Sequence, residues 1–174
     1  MQGKKMKKIG IISSGSSETE AQIVLNEGME KAVKVEDLVL IDNRTGNKIL
    51  AVCRKGIGTN DNIKATAFSP GVAYAKSGRK PSNAKEFYGF KLSVIGDVTK
   101  GLRQNKLVIA PSSDVEVFDG NENPMNCLGT FDFTLGYYKE HPMWPVPVNA
   151  RFIPYHIGIF SVTGGGKSFL ARYE

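Results

Sequence analysis

The residues with the clearest chemical capacity lie near the C-terminal end of the sequence and form a glycine-rich loop followed by a lysine and a serine. They are Thr163, Gly164, Gly165, Gly166, Lys167 and Ser168. Glycines allow successive backbone N–H groups to point at one phosphate chain, and the N-terminus of a following helix adds its positive dipole end. Lys167 would then reach the outer phosphates of a nucleotide, and the Ser168 hydroxyl would be a ligand of Mg²⁺. The segment therefore predicts a P-loop that binds ATP with magnesium.

The flanking residues favour a P-loop over a simple flexible turn. Residues 157–160 are an apolar run typical of a buried parallel strand, and a helix start follows Ser168. One position departs from the pattern G-x-x-x-x-G-K-[ST], because Ser161 stands where the first glycine is expected. No acidic strand follows that would hold Mg²⁺ and orient the attacking water. We therefore expect the chain to be the front of a larger ATPase that does not hydrolyse ATP by itself, and we assign no catalytic residue.

The composition is that of an ordinary folded protein. The 174 residues are 41% hydrophobic, which is sufficient for one domain with its own core. No apolar run is long enough to span a membrane and no secretory signal is present, so we expect a cytoplasmic protein without a membrane partner. The two cysteines, Cys53 and Cys127, form no metal-binding pattern with His141 and His156 and are expected to be ordinary thiols.

Short runs of apolar and β-branched residues, separated by turn clusters, predict a mainly β fold class. Strands are predicted at residues 9–12, 20–25, 35–41, 48–54, 87–96, 114–118 and 130–135. Their number and spacing indicate a small closed or partly open β-barrel, followed by the strand, P-loop and short helix at the C-terminal end. Three prolines within residues 139–148 predict an extended, semi-rigid linker. The predicted domains are a barrel over 1–138, a linker over 139–150 and the start of a RecA-like P-loop ATPase domain over 151–174.

This order of barrel, proline-rich segment and glycine-rich loop resembles the HerA-like DNA translocases of the HerA–FtsK superfamily. The resemblance runs through residues 35–41, 48–52, 93–96, 106–111 and 114–117 of the barrel and residues 156–168 around the loop. It implies a HAS-type barrel, similar in outline to the N-terminal barrel of ATP synthase subunits. It also implies a hexameric, ATP-driven helicase or translocase that threads duplex DNA and acts with a partner nuclease in DNA end resection and repair. In that family the barrel serves ring assembly and nuclease docking.

A second interpretation is a stand-alone basic β-barrel that binds nucleic acid. The formal net charge is +6, and basic residues recur at 4–8, 76–80 and 100–106. Such charge permits contact with phosphates but does not require it, because solvated loops often carry similar runs. Salt-dependent DNA binding by the chain would favour this alternative.

Overall fold

The chain is organised as two compact units, Met1–Gly129 and Thr130–Glu174. The computed structural model describes residues 6–63, 70–79, 86–119, 122–129, 131–138, 141–152, 163 and 165. The division between the units precedes residue 138, where the sequence predicts the end of the barrel domain. The predicted strand at 157–160 and the helix after Ser168 lie outside the described residues.

The first unit is a closed antiparallel barrel of six strands, in the order β1-β2-β5-β4-β3-β6 with β6 returning to β1. The strands are β1 (Lys7–Ile12), β2 (Glu20–Leu25), β3 (Leu38–Asp42), β4 (Lys48–Asn60), β5 (Glu86–Asp97) and β6 (Asp114–Val117). A helix, α1 (Pro70–Lys76), lies between β4 and β5 in sequence. The predicted mainly β fold and small barrel are confirmed, and the barrel is closed.

The barrel core is filled by β-branched and aliphatic side chains that alternate along each strand, as the two-residue period of a strand requires. Its largest fully buried members are Ile9, Ile12, Ile23, Val39, Ile41, Ile49, Leu92, Ile109 and Val115. A second row of apolar side chains is buried on the opposite face of β3 and β4, where Leu38 is paired with Val52 and Leu40 with Leu50. Both faces of this hairpin are therefore buried, which explains its continuous apolar sequence.

One end of the barrel is closed by three connections, two of which carry buried polar side chains. The antiparallel pairings bring the loops after β1, β3 and β5 to this end. The buried polar residues are Asn43, Asn47, Asn105 and Ser113. The 107–110 segment, which the sequence marks as an apolar run, is not a strand. Only Ile109 of that run enters the core, while Leu107 and Val108 are exposed.

Strand β4 continues well past the predicted end at residue 54 and pairs with β5 as far as Asn60. Two glycines in this extension, Gly56 and Gly58, made the sequence look irregular because glycine is depleted in strands. The rings of Phe90 and Tyr88 lie over these glycines, at 3.5 and 3.6 Å from where a Cβ atom would stand. Aromatic cover of this kind compensates for the missing side chains.

The second unit contains a two-stranded antiparallel sheet, β7 (Phe133–Tyr138) and β8 (His141–Val148). The predicted linker over 139–150 thus differs from the structure, in which most of it is a paired strand. Proline is tolerated here because both strands of a two-stranded sheet are edges, where some N–H groups need no partner. Trp144 is buried, and its ring stacks on His141 at a centroid distance of 3.8 Å.

In the part of the chain that the structure describes, no helix is long and apolar enough to cross a bilayer.

Candidate functional site

The predicted phosphate-binding loop is described at only two positions. Thr163 lies in a turn and Gly165 in a bend, and both are exposed. The other residues of the loop lie outside the described residues: Gly164, Gly166, Lys167 and Ser168. Ser161, which stands where the P-loop pattern expects glycine, also lies outside them. Binding of ATP and Mg²⁺ by this loop therefore stays a prediction from the sequence.

The three basic stretches found in the sequence do not converge on one site among the described residues. In the first stretch, Lys8 is neutralised across the β1–β6 junction, where its Nζ lies 2.6 Å from Asp114 Oδ1. In the second, Lys76 ends helix α1. In the third, Lys100 and Lys106 are exposed in the connection after β5. These described positions belong to different elements and connections of the barrel unit.

The structure instead forms a cleft of about 310 Å³ on the outer surface of the barrel, above the adjacent strands β2, β5 and β4. Its charged lining consists of Arg54, Lys55, Lys91 and Glu20, and its neutral polar lining includes Ser14, Gln22 and Ser93. Three cations and one carboxylate give the cleft a net positive character. A positive cleft raises the local concentration of anionic ligands.

The pairing of the strands places two lysines directly opposite each other in this cleft. Lys55 of β4 is paired with Lys91 of β5, and Lys91 is paired on its other side with Gln22 of β2. The three side chains therefore form a row across three strands on the outer face. Like charges at directly opposed positions repel each other and destabilise a sheet. Neither lysine makes an ion pair with any residue in the described ranges.

A β-bulge explains why two consecutive cations, Arg54 and Lys55, are both exposed. The register of β4 against β5 shifts between Cys53 and Lys55, so Arg54 is the extra residue on the bulged strand. Its Nη1 donates to both carboxylate oxygens of Glu36, at 2.8 and 2.7 Å. Glu36 has a φ of 74° and its N–H donates to the Cys53 carbonyl. Arg54 is thus already neutralised, whereas Lys55 is not.

Sequence reasoning missed Lys55 and Lys91, since they are far apart along the chain. The only available signal was the position of Lys91 between Phe90 and Leu92, which places it on the outer face of a strand. The register that brings Lys55 opposite it depends on the bulge at Arg54. No composition or periodicity rule predicts the position of such a bulge.

The buried polar side chains at the closed end of the barrel satisfy one another. Asn43 Nδ2 donates to Asn47 Oδ1 at 2.9 Å, and Asn43 Oδ1 accepts from the Ala110 N–H at 3.0 Å and from the Ser113 hydroxyl at 3.2 Å. Asn105 Nδ2 donates to the carbonyls of Glu18 and Leu107. Buried amides with their hydrogen bonds made hold loops together and have no capacity left for a ligand.

The cysteines have no nucleophilic role in the described structure. Burial, reinforced by the nearby Asp37 carboxylate, raises the pKa of Cys53 to about 12, and burial also raises the pKa of Cys127. Both thiols therefore remain protonated near neutral pH, and the thiolate is the reactive form. Across the residues with described positions, no group of three or more His, Cys, Asp or Glu side chains is arranged to hold a metal ion.

No protein-family model matches the sequence, and no curated protein matches it either.

Proposed function

We propose that the chain is the barrel-bearing part of a HerA-like, ATP-driven DNA translocase that works in the cytoplasm. In this proposal the barrel supports assembly of a hexameric ring and docking of a partner nuclease. ATP and Mg²⁺ bind at residues 163–168, with Lys167 on the phosphates and Ser168 on the metal. Duplex DNA is the substrate that the ring moves.

The observation that carries this proposal is the closed six-stranded barrel that precedes the glycine-rich motif in sequence. A closed barrel has no free strand edge, so it can contact neighbouring subunits only through side chains on its outer surface. Exposed apolar side chains are present on that surface, including Ile11 of β1 and Ile95 of β5. Such side chains suit contacts with a neighbouring subunit or a partner protein.

Binding of a fluorescent ATP analogue in the presence of Mg²⁺ tests the nucleotide part of the proposal. Lys167→Ala should abolish binding, since it removes the cation that holds the outer phosphates. Lys100→Ala, which removes an exposed lysine of the barrel, is the charge-matched control and should bind normally. Ser161→Gly restores the expected glycine and should bind at least as tightly as the wild type. Equal affinity of the Lys167→Ala variant and the wild type would refute the P-loop assignment.

Native mass spectrometry tests the assembly part separately. With Mg²⁺ and ATP present, the chain should form a species of six subunits. If the protein stays monomeric at all concentrations but still binds the nucleotide, assembly into a hexameric ring is refuted. The assignment of the nucleotide site is then unaffected.

The second candidate function is that of a basic barrel that binds nucleic acid without a motor. The positive cleft above β2, β5 and β4 favours this candidate. Salt-dependent DNA binding in the absence of nucleotide, unchanged by Lys167→Ala, would support it. It would be rejected if DNA binding required ATP.

A further inference from the structure

The opposed lysines of the cleft provide a place where an anion would stabilise the fold. Cross-strand neighbours in an antiparallel pair have Cβ atoms about 5 Å apart, so both ammonium groups can reach one bound group. Neither Glu20 nor Glu36 forms an ion pair with these lysines in the part of the chain that the structure describes. Glu20 is paired with Ser93, two residues further along β5, and Glu36 is already engaged by Arg54. We propose that the cleft binds a backbone phosphate of nucleic acid between Lys55 and Lys91.

The neutral part of the lining fits a phosphate oxygen. Gln22 lies beside Lys91 in the same row, and its amide can donate a hydrogen bond. Ser14 and Ser93, which also line the cleft, each carry a hydroxyl group that can donate a hydrogen bond. Amide and hydroxyl donors beside lysines are the usual contacts of proteins with the sugar-phosphate backbone.

An acidic peptide fits the cleft less well than a phosphate backbone. Peptide recognition generally depends on apolar or aromatic anchors that fill pockets. The apolar residues that line this cleft, Ala21 and Leu92, are buried in the barrel wall and offer no such pocket. The cleft therefore provides charge and hydrogen bonds with little apolar contact.

The described residues that line the cleft also include no aromatic side chain on which a base could stack. Tyr88 and Phe90 alternate with Lys91 along β5, so their rings belong to the opposite face of the strand, where they cover Gly58 and Gly56. Without stacking platforms or groove-reading side chains, the contact should be independent of base sequence. This inference rests on DNA being the ligand in both functions proposed above, but it does not depend on ATP binding.

The test uses the full chain and duplex DNA of random sequence, with nucleotide omitted. The Lys55→Gln/Lys91→Gln variant should bind about tenfold more weakly near physiological salt, because both lysine contacts to the bound phosphate are lost. The slope of log affinity against log salt concentration should fall in magnitude by about 1, since one phosphate is no longer neutralised. Lys55→Arg/Lys91→Arg keeps both charges and should retain the wild-type slope.

A matched control separates the cleft from the general charge of the protein. Lys31→Gln/Lys48→Gln removes two exposed lysines elsewhere on the barrel unit and changes the net charge equally. Its affinity and salt slope should stay close to those of the wild type. Equal losses in the two glutamine variants would overturn the cleft assignment while leaving DNA binding by the barrel intact.

Two further outcomes would also overturn the inference. If the wild-type chain does not bind duplex DNA at low salt, both the cleft and the motor-free nucleic-acid function fail, whatever the result of the ATP experiment. If poly-glutamate binds as tightly as DNA and requires the same two lysines, the cleft is a site for an acidic protein. Thermal unfolding of each variant verifies that the barrel remains folded.

Discussion

The side-chain nitrogen of Asn43 donates a hydrogen bond to Oδ1 of Asn47 at 2.9 Å, inside the end of the barrel where three loops meet. The side-chain oxygen of Asn43, Oδ1, accepts hydrogen bonds from the Ala110 N–H and the Ser113 hydroxyl. One side chain thus links the β3–β4 turn to the connection before β6. The strands there are short, so loop-to-loop hydrogen bonds contribute to the closure of the barrel.

Replacement of Asn43 by alanine should therefore destabilise the barrel strongly. The change leaves the Ala110 N–H without this acceptor and removes the hydrogen bonds that join Asn43 to Asn47 and Ser113. A buried unsatisfied group costs about 1–3 kcal/mol. We expect a loss of about 3 kcal/mol in the free energy of unfolding, measured by urea denaturation. Asn126→Ala, at an exposed position, is the control and should change stability by less than about 0.5 kcal/mol. Similar stabilities for the two variants would contradict the linking role of Asn43.

The sequence was sufficient to predict the strands of the barrel but insufficient to predict its closed end. Alternation in β2 and the apolar hairpin of β3 and β4 were readable because period and turn chemistry agree there. Asn43 and Asn47 looked like ordinary turn residues, since asparagine favours turns for local reasons. Their burial depends on partners such as Asn105, which are remote in sequence. The same limit applies to Lys55 and Lys91, whose opposition depends on a bulge.

Gly89 should be irreplaceable for a steric reason. A Cβ atom at this position would collide with the backbone carbonyl oxygen of Ile23 on the neighbouring strand. Backbone cannot move aside without breaking the β2–β5 pairing, so Gly89→Ala should cost about 3 kcal/mol, at the upper end for overpacking. Gly58→Ala is the matched control on β4, because its Cβ would lie 3.6 Å from the Tyr88 ring in ordinary contact.

The control should be neutral or slightly stabilising, because alanine loses less backbone entropy than glycine on folding. Thermal unfolding followed by circular dichroism measures both effects. A Gly89→Ala variant that melts with the wild type would show that the barrel can widen between β2 and β5.

Asp97 should make the barrel less stable in acid. Partial burial alone would raise the pKa of Asp97, but hydrogen bonds from Thr99 and Asn47, together with the nearby Arg103, hold it below its ordinary value of 3.8. A carboxyl whose pKa is lowered by folding stabilises the protein above the unfolded-state pKa. That contribution is lost as the pH falls through the folded-state pKa.

The Asp97→Asn variant should accordingly be less stable than the wild type at neutral pH, and the difference should shrink below about pH 4. Urea denaturation over a series of pH values measures this difference. Asp61→Asn, in an exposed turn, is the control for the loss of one carboxylate. A difference for Asp97→Asn that stays constant down to the lowest pH would argue against the carboxylate as its source.

Relief of the repulsion between Lys55 and Lys91 should stabilise the free protein. We expect Lys91→Gln to raise the free energy of unfolding by about 0.5 kcal/mol at low salt, which is the usual size of a cross-strand pair effect. Added salt should reduce this gain because it screens exposed charges. Lys48→Gln, on the same barrel but opposite Asp42, should give no gain. A destabilised Lys91→Gln variant would show that the lysine has a structural partner.

Cys53 should react with alkylating reagents only when the barrel opens. Its thiol is buried and its pKa is about 12, so almost no thiolate exists near neutral pH. In a Cys127→Ser variant, where Cys53 is the one remaining thiol, mass spectrometry should show slow modification by iodoacetamide. Urea should accelerate the reaction to the rate of an unfolded chain. Rapid modification of the native variant would mean that the barrel opens locally near β4.

The pairing of β1 with β6 has a consequence for synthesis on the ribosome. Strand β1 keeps one unpaired edge until Asp114–Val117 has emerged, because its second edge is paired with β6. At roughly 5–20 residues per second, this interval is on the order of ten seconds. During that time the nascent chain exposes apolar strand edges that can pair with other chains. Pausing of translation before residue 114 would therefore prolong the period in which this edge is exposed.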